Sequence, residues 1–148
     1  MKKLWFDGSI THNPGGNMGY GFVAEGDDSY MAFSGQINYY QGPRTNNVAE
    51  YYGLIYALDY AHLEDWDGIQ VFGDSKLVVE QVNGRWKVNE PHLKKLCKDA
   101  QDRMELFDTI ELKWIPREEN FEADKMAKKA TGWEVDVKKE AINNGDNK

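Results

Sequence analysis

The sequence predicts an α/β domain in the element order β-β-β-α-β-α-α-β-α. Three observations predict it. Three short runs of β-formers lead the chain, separated by Gly-, Asn- and Asp-rich turns, which is the pattern of an antiparallel meander. Helix signals follow, the longest being an apolar stripe at helical spacing. Two further β-former runs alternate with those helices, as strands of a layered α/β sheet do.

Leu4-Trp5-Phe6 reads as a strand buried on both faces, ending at Asp7-Gly8-Ser9. Residues 11–19 are rich in Asn, Pro and Gly and read as a loop. Residues 20–24 and 30–37 are the next two strands, joined by the turn Gly26-Asp27-Asp28. Thr45-Asn46-Asn47 offers capping side chains to a helix running to about His62, with Tyr51, Leu54, Ile55, Leu58 and Ala61 as its stripe. Ile69-Gln70-Val71-Phe72 is a fourth strand, ending at Gly73-Asp74. Ser75 caps a short helix that Asn83-Gly84 breaks. Pro91 opens a helix with the stripe Leu93, Leu96, Ala100, Met104 and Phe107. Residues 109–115 alternate as a fifth strand, Pro116 ends it, and a helix runs from about Asn120 to Ala130. The predicted domain is 1–130. The tail, 131–148, is polar; Trp133, Val135 and Val137 alternate as a short edge strand, and its end is expected to be disordered.

The 148 residues fit one core, and 41% hydrophobic with 29% charged residues excludes a disordered chain. No apolar run reaches the ~20 residues that span a bilayer. The stretch before Asp7 is too short for a signal peptide. Cys97 is the one cysteine; it has no disulfide partner within the chain and is read as a partly buried thiol. A cytoplasmic monomer is expected. The net charge of −7 argues against a nucleic-acid partner at first sight. That argument weakens if some acids hold metal. Of 25 acids, setting four aside leaves 21 against 18 bases.

Those four are Asp7, Glu50, Asp74 and Asp124. Asp7 and Asp74 end two strands, and crevices form at the carboxyl ends of parallel strands. Glu50 shares a helix face with Leu54, and Asp124 precedes Ala127 by one turn. A carboxylate beside a core-facing stripe is costly unless paired or bound to metal. Singly, each acid also reads as a cap or a solvated charge.

The segments Phe6-Asp7-Gly8-Ser9, Asn13-Pro14-Gly15, Thr45 to Glu50, Asp74-Ser75 and Asn120 to Ala127 occur in order along the chain. Together they resemble the type 1 ribonuclease H family over nearly the whole chain. Residues 74–84 and 114–120 look like its compact bacterial and archaeal branch. The resemblance implies a ribonuclease H-like fold, with a five-stranded mixed sheet: the meander plus two parallel strands. It implies an endonuclease that hydrolyses the RNA strand of RNA–DNA hybrids, leaving 5′-phosphate and 3′-hydroxyl ends. It implies two Mg²⁺ (or Mn²⁺) ions ~4 Å apart, held by Asp7, Glu50, Asp74 and Asp124. Asp7 would bridge both ions, Asp124 would complete the water-activating site, and Glu50 and Asp74 would serve the leaving oxygen. Asn13, Asn46 and Asn47 match positions that touch the hybrid's minor groove, and Thr45 one that holds a DNA phosphate. Turn and cap chemistry explains the same residues equally well.

Two departures from the family pattern stand out. The loop before the last helix, Pro116-Arg117-Glu118-Glu119, lacks the His of better-known members. Arg117 takes its place as a phosphate-contacting or product-releasing group, or is a solvated surface residue; it is no general base at neutral pH. The basic protrusion is reduced to Gly84-Arg85-Trp86-Lys87-Val88. Arg85, Trp86 and Lys87 form a small hybrid-binding patch, or Trp86 fills core. Modest, salt-sensitive hybrid binding follows. Rival readings are a non-catalytic nucleic-acid-binding module of the same fold, another nuclease of the superfold, and a structural protein whose acids cap helices.

Overall fold

Leu4 and Phe6 are fully buried and alternate with half-buried Trp5, the signature of a central strand. In the computed structural model, which describes residues 1–132, that strand is β1 (Lys2–Ile10). It pairs antiparallel with β2 (Met18–Glu25), which pairs antiparallel with β3 (Tyr30–Ile37). Helix α1 (Asn46–Leu63) returns the chain to β4 (Gly68–Gly73), parallel to β1 along its other edge. Helices α2 (Lys76–Val82) and α3 (Pro91–Met104) lead to β5 (Thr109–Trp114), parallel to β4. One 3₁₀ turn (Arg117–Glu119) enters helix α4 (Phe121–Ala130). The sheet is open, in the order β3-β2-β1-β4-β5, so the meander and the parallel pair both stand as expected.

Two helices clasp the sheet from opposite sides, and glycines set how closely. A Cβ on Gly8 of β1 would overlap the Ala49–Glu50 peptide of α1. A Cβ on Gly21 of β2 would overlap the backbone of α4 at Ala127. Gly21 pairs with Asp7, the neighbour of Gly8, and successive strand residues face opposite ways. The α1 face therefore carries Gly8, and the α4 face carries Asp7. Leu54, Leu58 and Ala61 of α1 and Leu93, Leu96 and Ala100 of α3 build the core on the first face. Each fully buried Leu contributes about 2 kcal/mol of transfer free energy.

Three boundaries differ from expectation. Strand β1 does not end at Asp7 but runs on to Ile10. Gly8 and Ser9 are poor β-formers, yet β2 pairs with them and buries both. Phe107 lies beyond the end of α3, buried in the turn before β5 rather than on the helical stripe. The last helix begins at Phe121, with Asn120 as its N-cap residue. The edge strand expected around Trp133 to Val137 lies outside the described residues. Among the described residues, no helix is long and apolar enough to cross a membrane.

Candidate active site

The parallel register pairs Phe6 with Gly73. The next residues along the two strands, Asp7 and Asp74, therefore come side by side. Glu50 joins them from the first turns of α1, because Gly8 and Gly53 let that helix lie against β1; a Cβ on Gly53 would overlap the Asp7 carbonyl. Carboxylate oxygens of Asp7, Glu50 and Asp74 all lie within 4.8 Å of one another. The Gly8 N–H donates to Asp7 Oδ1 at 2.9 Å and to Glu50 Oε1 at 3.1 Å, tying the first two together.

Electrostatics make this cluster costly when empty of cations. Asp7 and Glu50 are buried, at 3% and 4% exposure. Burial, then the charge of Asp74, pushes the Asp7 carboxyl up to about 8. Burial, then Asp7 and Asp74, holds Glu50 well above the usual carboxylate range. Asp74 is raised by burial as well, against the pull of an Asn120 hydrogen bond and the Arg117 charge. Among the described residues, none of the three makes a salt bridge. Three carboxylates packed together without a salt bridge among the described residues, offering only oxygen, fit a hard divalent cation and not zinc. None of the three histidines lies among them; His62 packs on Phe107 and His92 lies beside Glu90.

Asp124 stands at the margin of this group. It lines the same cavity, of about 160 Å³, with Asp7, Glu50, Asn46, Arg117 and Lys128. It is outside the tight three-residue cluster, and its Oδ2 accepts from Lys128 Nζ at 3.0 Å one turn along α4. Its proximity is nevertheless felt, since it contributes to the raised proton affinity of Asp7.

The other sequence-selected residues divide. Asn13 Oδ1 accepts from the Asn46 backbone N–H at 3.2 Å, so loop and helix start meet at the cavity mouth. Thr45 caps α1, its hydroxyl accepting from Val48 N–H at 3.3 Å. Thr45, Asn47, Trp86 and Lys87 also line an adjoining cavity of about 370 Å³, where Asn89 adds a polar group the sequence reading missed. Trp86 does not fill core: it is 45% exposed, in the turn between α2 and α3. Arg85 is not a free cation, since its guanidinium grips Glu80 at 2.6 Å. Two supporting residues were also missed. Trp114 Nε1 donates to the Asp74 carbonyl at 3.1 Å, and Asn120 reaches the Asp74 carboxylate. An Asn before a helix signals a cap, and a Trp ending a strand signals packing, so neither stood out.

An open sheet of three antiparallel and two parallel strands, with buried acids on β1 and α1 and a half-buried one after β4, defines the ribonuclease H-like class. Residues 6–130 match the reverse transcriptase-like family, and the chain belongs to that family. It is 45% identical over 126 residues to the bifunctional protein Rv2228c of Mycobacterium tuberculosis, covering 84% of this chain and 34% of that one. The chain thus spans about a third of the length of the first curated relatives it matches. The solved N-terminal ribonuclease H domain of Rv2228c superposes with TM-score 0.79 at 41% identity, covering 88% of this chain and 98% of that one. Ribonuclease H1 of Halobacterium salinarum gives TM-score 0.79 at 35% identity, covering 87% and 96%. LC11-RNase H1, solved in complex with an RNA/DNA hybrid, gives TM-score 0.77 at 31% identity, covering 91% and 99%.

Proposed function

We propose that this chain is a ribonuclease H, an endonuclease that hydrolyses the RNA strand of RNA–DNA hybrids and leaves 5′-phosphate and 3′-hydroxyl ends. The observation that carries the reading is the cluster of Asp7, Glu50 and half-buried Asp74, with no salt bridge among the described residues, of which Asp7 and Glu50 line one cavity with Asp124. The likeness to LC11-RNase H1, solved with an RNA/DNA hybrid, supports the substrate.

The four carboxylates would hold two divalent ions, Mg²⁺ or Mn²⁺. Bound there, the ions would supply charge stabilisation at the phosphoryl oxygens and acidify the attacking water. Asp7, central to the cluster, would be the principal residue holding the ions. Its buried position excludes water from one side of the site. Asp124 meets Lys128 through Oδ2 alone, a pairing of small energy, so its other oxygen would be free to join the other carboxylates. Arg117, at the cavity edge, would meet a phosphate or release product, in place of a loop histidine. Asn13, Asn46 and Asn47 would line the minor-groove path, where 2′-hydroxyls mark the RNA strand. Thr45 and Trp86, on the adjoining cavity, would meet the DNA strand. Residues 1–130 act as the catalytic domain in this reading, and the protein works as a cytoplasmic monomer.

The test is a labelled RNA–DNA hybrid with Mg²⁺ or Mn²⁺, beside double-stranded DNA, double-stranded RNA and single-stranded RNA. Cleavage of the hybrid alone, lost in Asp7→Asn, is the expected result. No cleavage with either ion would contradict the reading.

A further inference from the structure

We infer that Asn120 is a positioning residue whose side chain fixes the Asp74 carboxylate relative to the β1 segment that carries Asp7. The metal it would serve rests on the ribonuclease reading; the hydrogen-bond architecture does not. Asn120 is 1% exposed and occupies the N-cap position of α4, yet its side chain makes no capping hydrogen bond. An Asn at that position ordinarily turns its oxygen on the N–H groups of the first helical turn. Here Nδ2 turns inward instead. It donates to the Phe6 carbonyl at 2.9 Å and to Asp74 Oδ2 at 3.2 Å. The Asn120 carbonyl in turn accepts from the Asp124 N–H at 3.1 Å.

Phe6 adjoins Asp7, so one residue ties together the β1 segment of Asp7, the carboxylate of Asp74 and the backbone of Asp124. Both Nδ2 hydrogens have acceptors, while Oδ1 is buried with no partner. The opposite amide orientation would set Oδ1 against the Phe6 carbonyl and the Asp74 carboxylate, three acceptors facing one another. The amide is thus oriented by what Asp74 requires and not by what α4 requires. A carboxylate so held keeps its place beside Asp7 before any cation arrives, and residues that orient metal ligands typically change metal affinity 10–100-fold when replaced.

Asn120→Ser tests this, because Ser is an equally good N-cap residue and keeps α4 started while removing the Nδ2 donors. The metal-binding arm is calorimetric titration of the folded protein with Mn²⁺, without hybrid, beside the Mg²⁺ dependence of hybrid cleavage. The expected result is a Kd for Mn²⁺ and a half-saturating Mg²⁺ concentration each raised at least tenfold, with little change in KM for the hybrid. A folded Asn120→Ser protein with unchanged metal affinity would overturn the inference. The second arm needs neither metal nor the variant. In the NMR spectrum of the metal-free wild-type protein, the Asn120 side-chain amide protons should resist solvent exchange and shift when Asp74 is changed to Ala. Rapid exchange, or no shift, would overturn the inference on its own. A wild-type protein that binds no divalent ion would instead defeat the ribonuclease reading, and the amide arm would still decide the role of Asn120.

Discussion

Asp7→Asn is expected to change how the stability of the metal-free protein responds to pH. The folded Asp7 carboxyl is pushed up to about 8, whereas the unfolded chain releases that proton near 3.8. Between those values the folded state holds a proton the unfolded state has lost. Stability contributed by this group is therefore full below about pH 4 and falls as pH rises towards 8. The slope is about 1.4 kcal/mol per pH unit, so roughly 3 kcal/mol disappears between pH 5 and 7. For a chain of this size that is roughly 6–12 °C in Tm. Asn carries no titrating proton, so this loss with rising pH is absent from the variant. In EDTA the variant should gain on the wild type by that margin as pH rises from 5 to 7. Thermal melts across pH 5–8 check it. Mg²⁺ should narrow the gap at pH 7 by stabilising only the wild-type cluster. A difference in Tm that stays constant with pH would refute the claim that burial and crowding raise the proton affinity of Asp7.

Further outcomes follow from the packing and the surface. Gly8→Ala should cost about 3 kcal/mol in chemical denaturation, because its Cβ meets the Ala49–Glu50 peptide and pushes α1, with Glu50, off β1. Trp86→Ala should leave stability within about 0.5 kcal/mol while weakening hybrid binding several-fold in a gel-shift assay; a large loss of stability would return Trp86 to the core. Hybrid affinity should fall at least tenfold between 50 and 200 mM salt, since phosphate contacts dominate it; tight, salt-insensitive binding would contradict a reduced basic patch.

Sequence periodicity carried the fold a long way, and its failures have physical causes. Leu54, Leu58 and Ala61 spell out the core face of α1, and that face is where the helix is buried. Strand β1 was read short because Gly8 and Ser9 have little β-propensity; what extends the strand is eight consecutive pairs with β2, a tertiary fact. The meeting of Asp7 with Asp74 depends on parallel register, and that of Glu50 with both depends on glycines that let α1 approach. Neither is written in local spacing. Trp86 looks like core by composition, but it lies in the turn between α2 and α3 and is 45% exposed. Arg85 looks like a free cation until Glu80, five residues before it, is seen to hold it. Asn120 shows the limit most sharply: its position says cap, and its hydrogen bonds say otherwise.

The most direct test of the account is single-turnover cleavage of an RNA–DNA hybrid, labelled on the RNA strand, with saturating Mg²⁺. Wild-type protein would be compared with folded Asp7→Asn, Glu50→Gln, Asp74→Asn and Asp124→Asn proteins. The account predicts cleavage by the wild type within the RNA strand, and a loss of roughly 10³-fold or more for Asp7→Asn, Glu50→Gln and Asp74→Asn, as expected when several kcal/mol of charge stabilisation is removed. Asp124→Asn, outside the tight cluster, should lose rate as well but bind Mn²⁺ closer to normally. A near-wild-type rate in any of the three cluster variants would contradict the account.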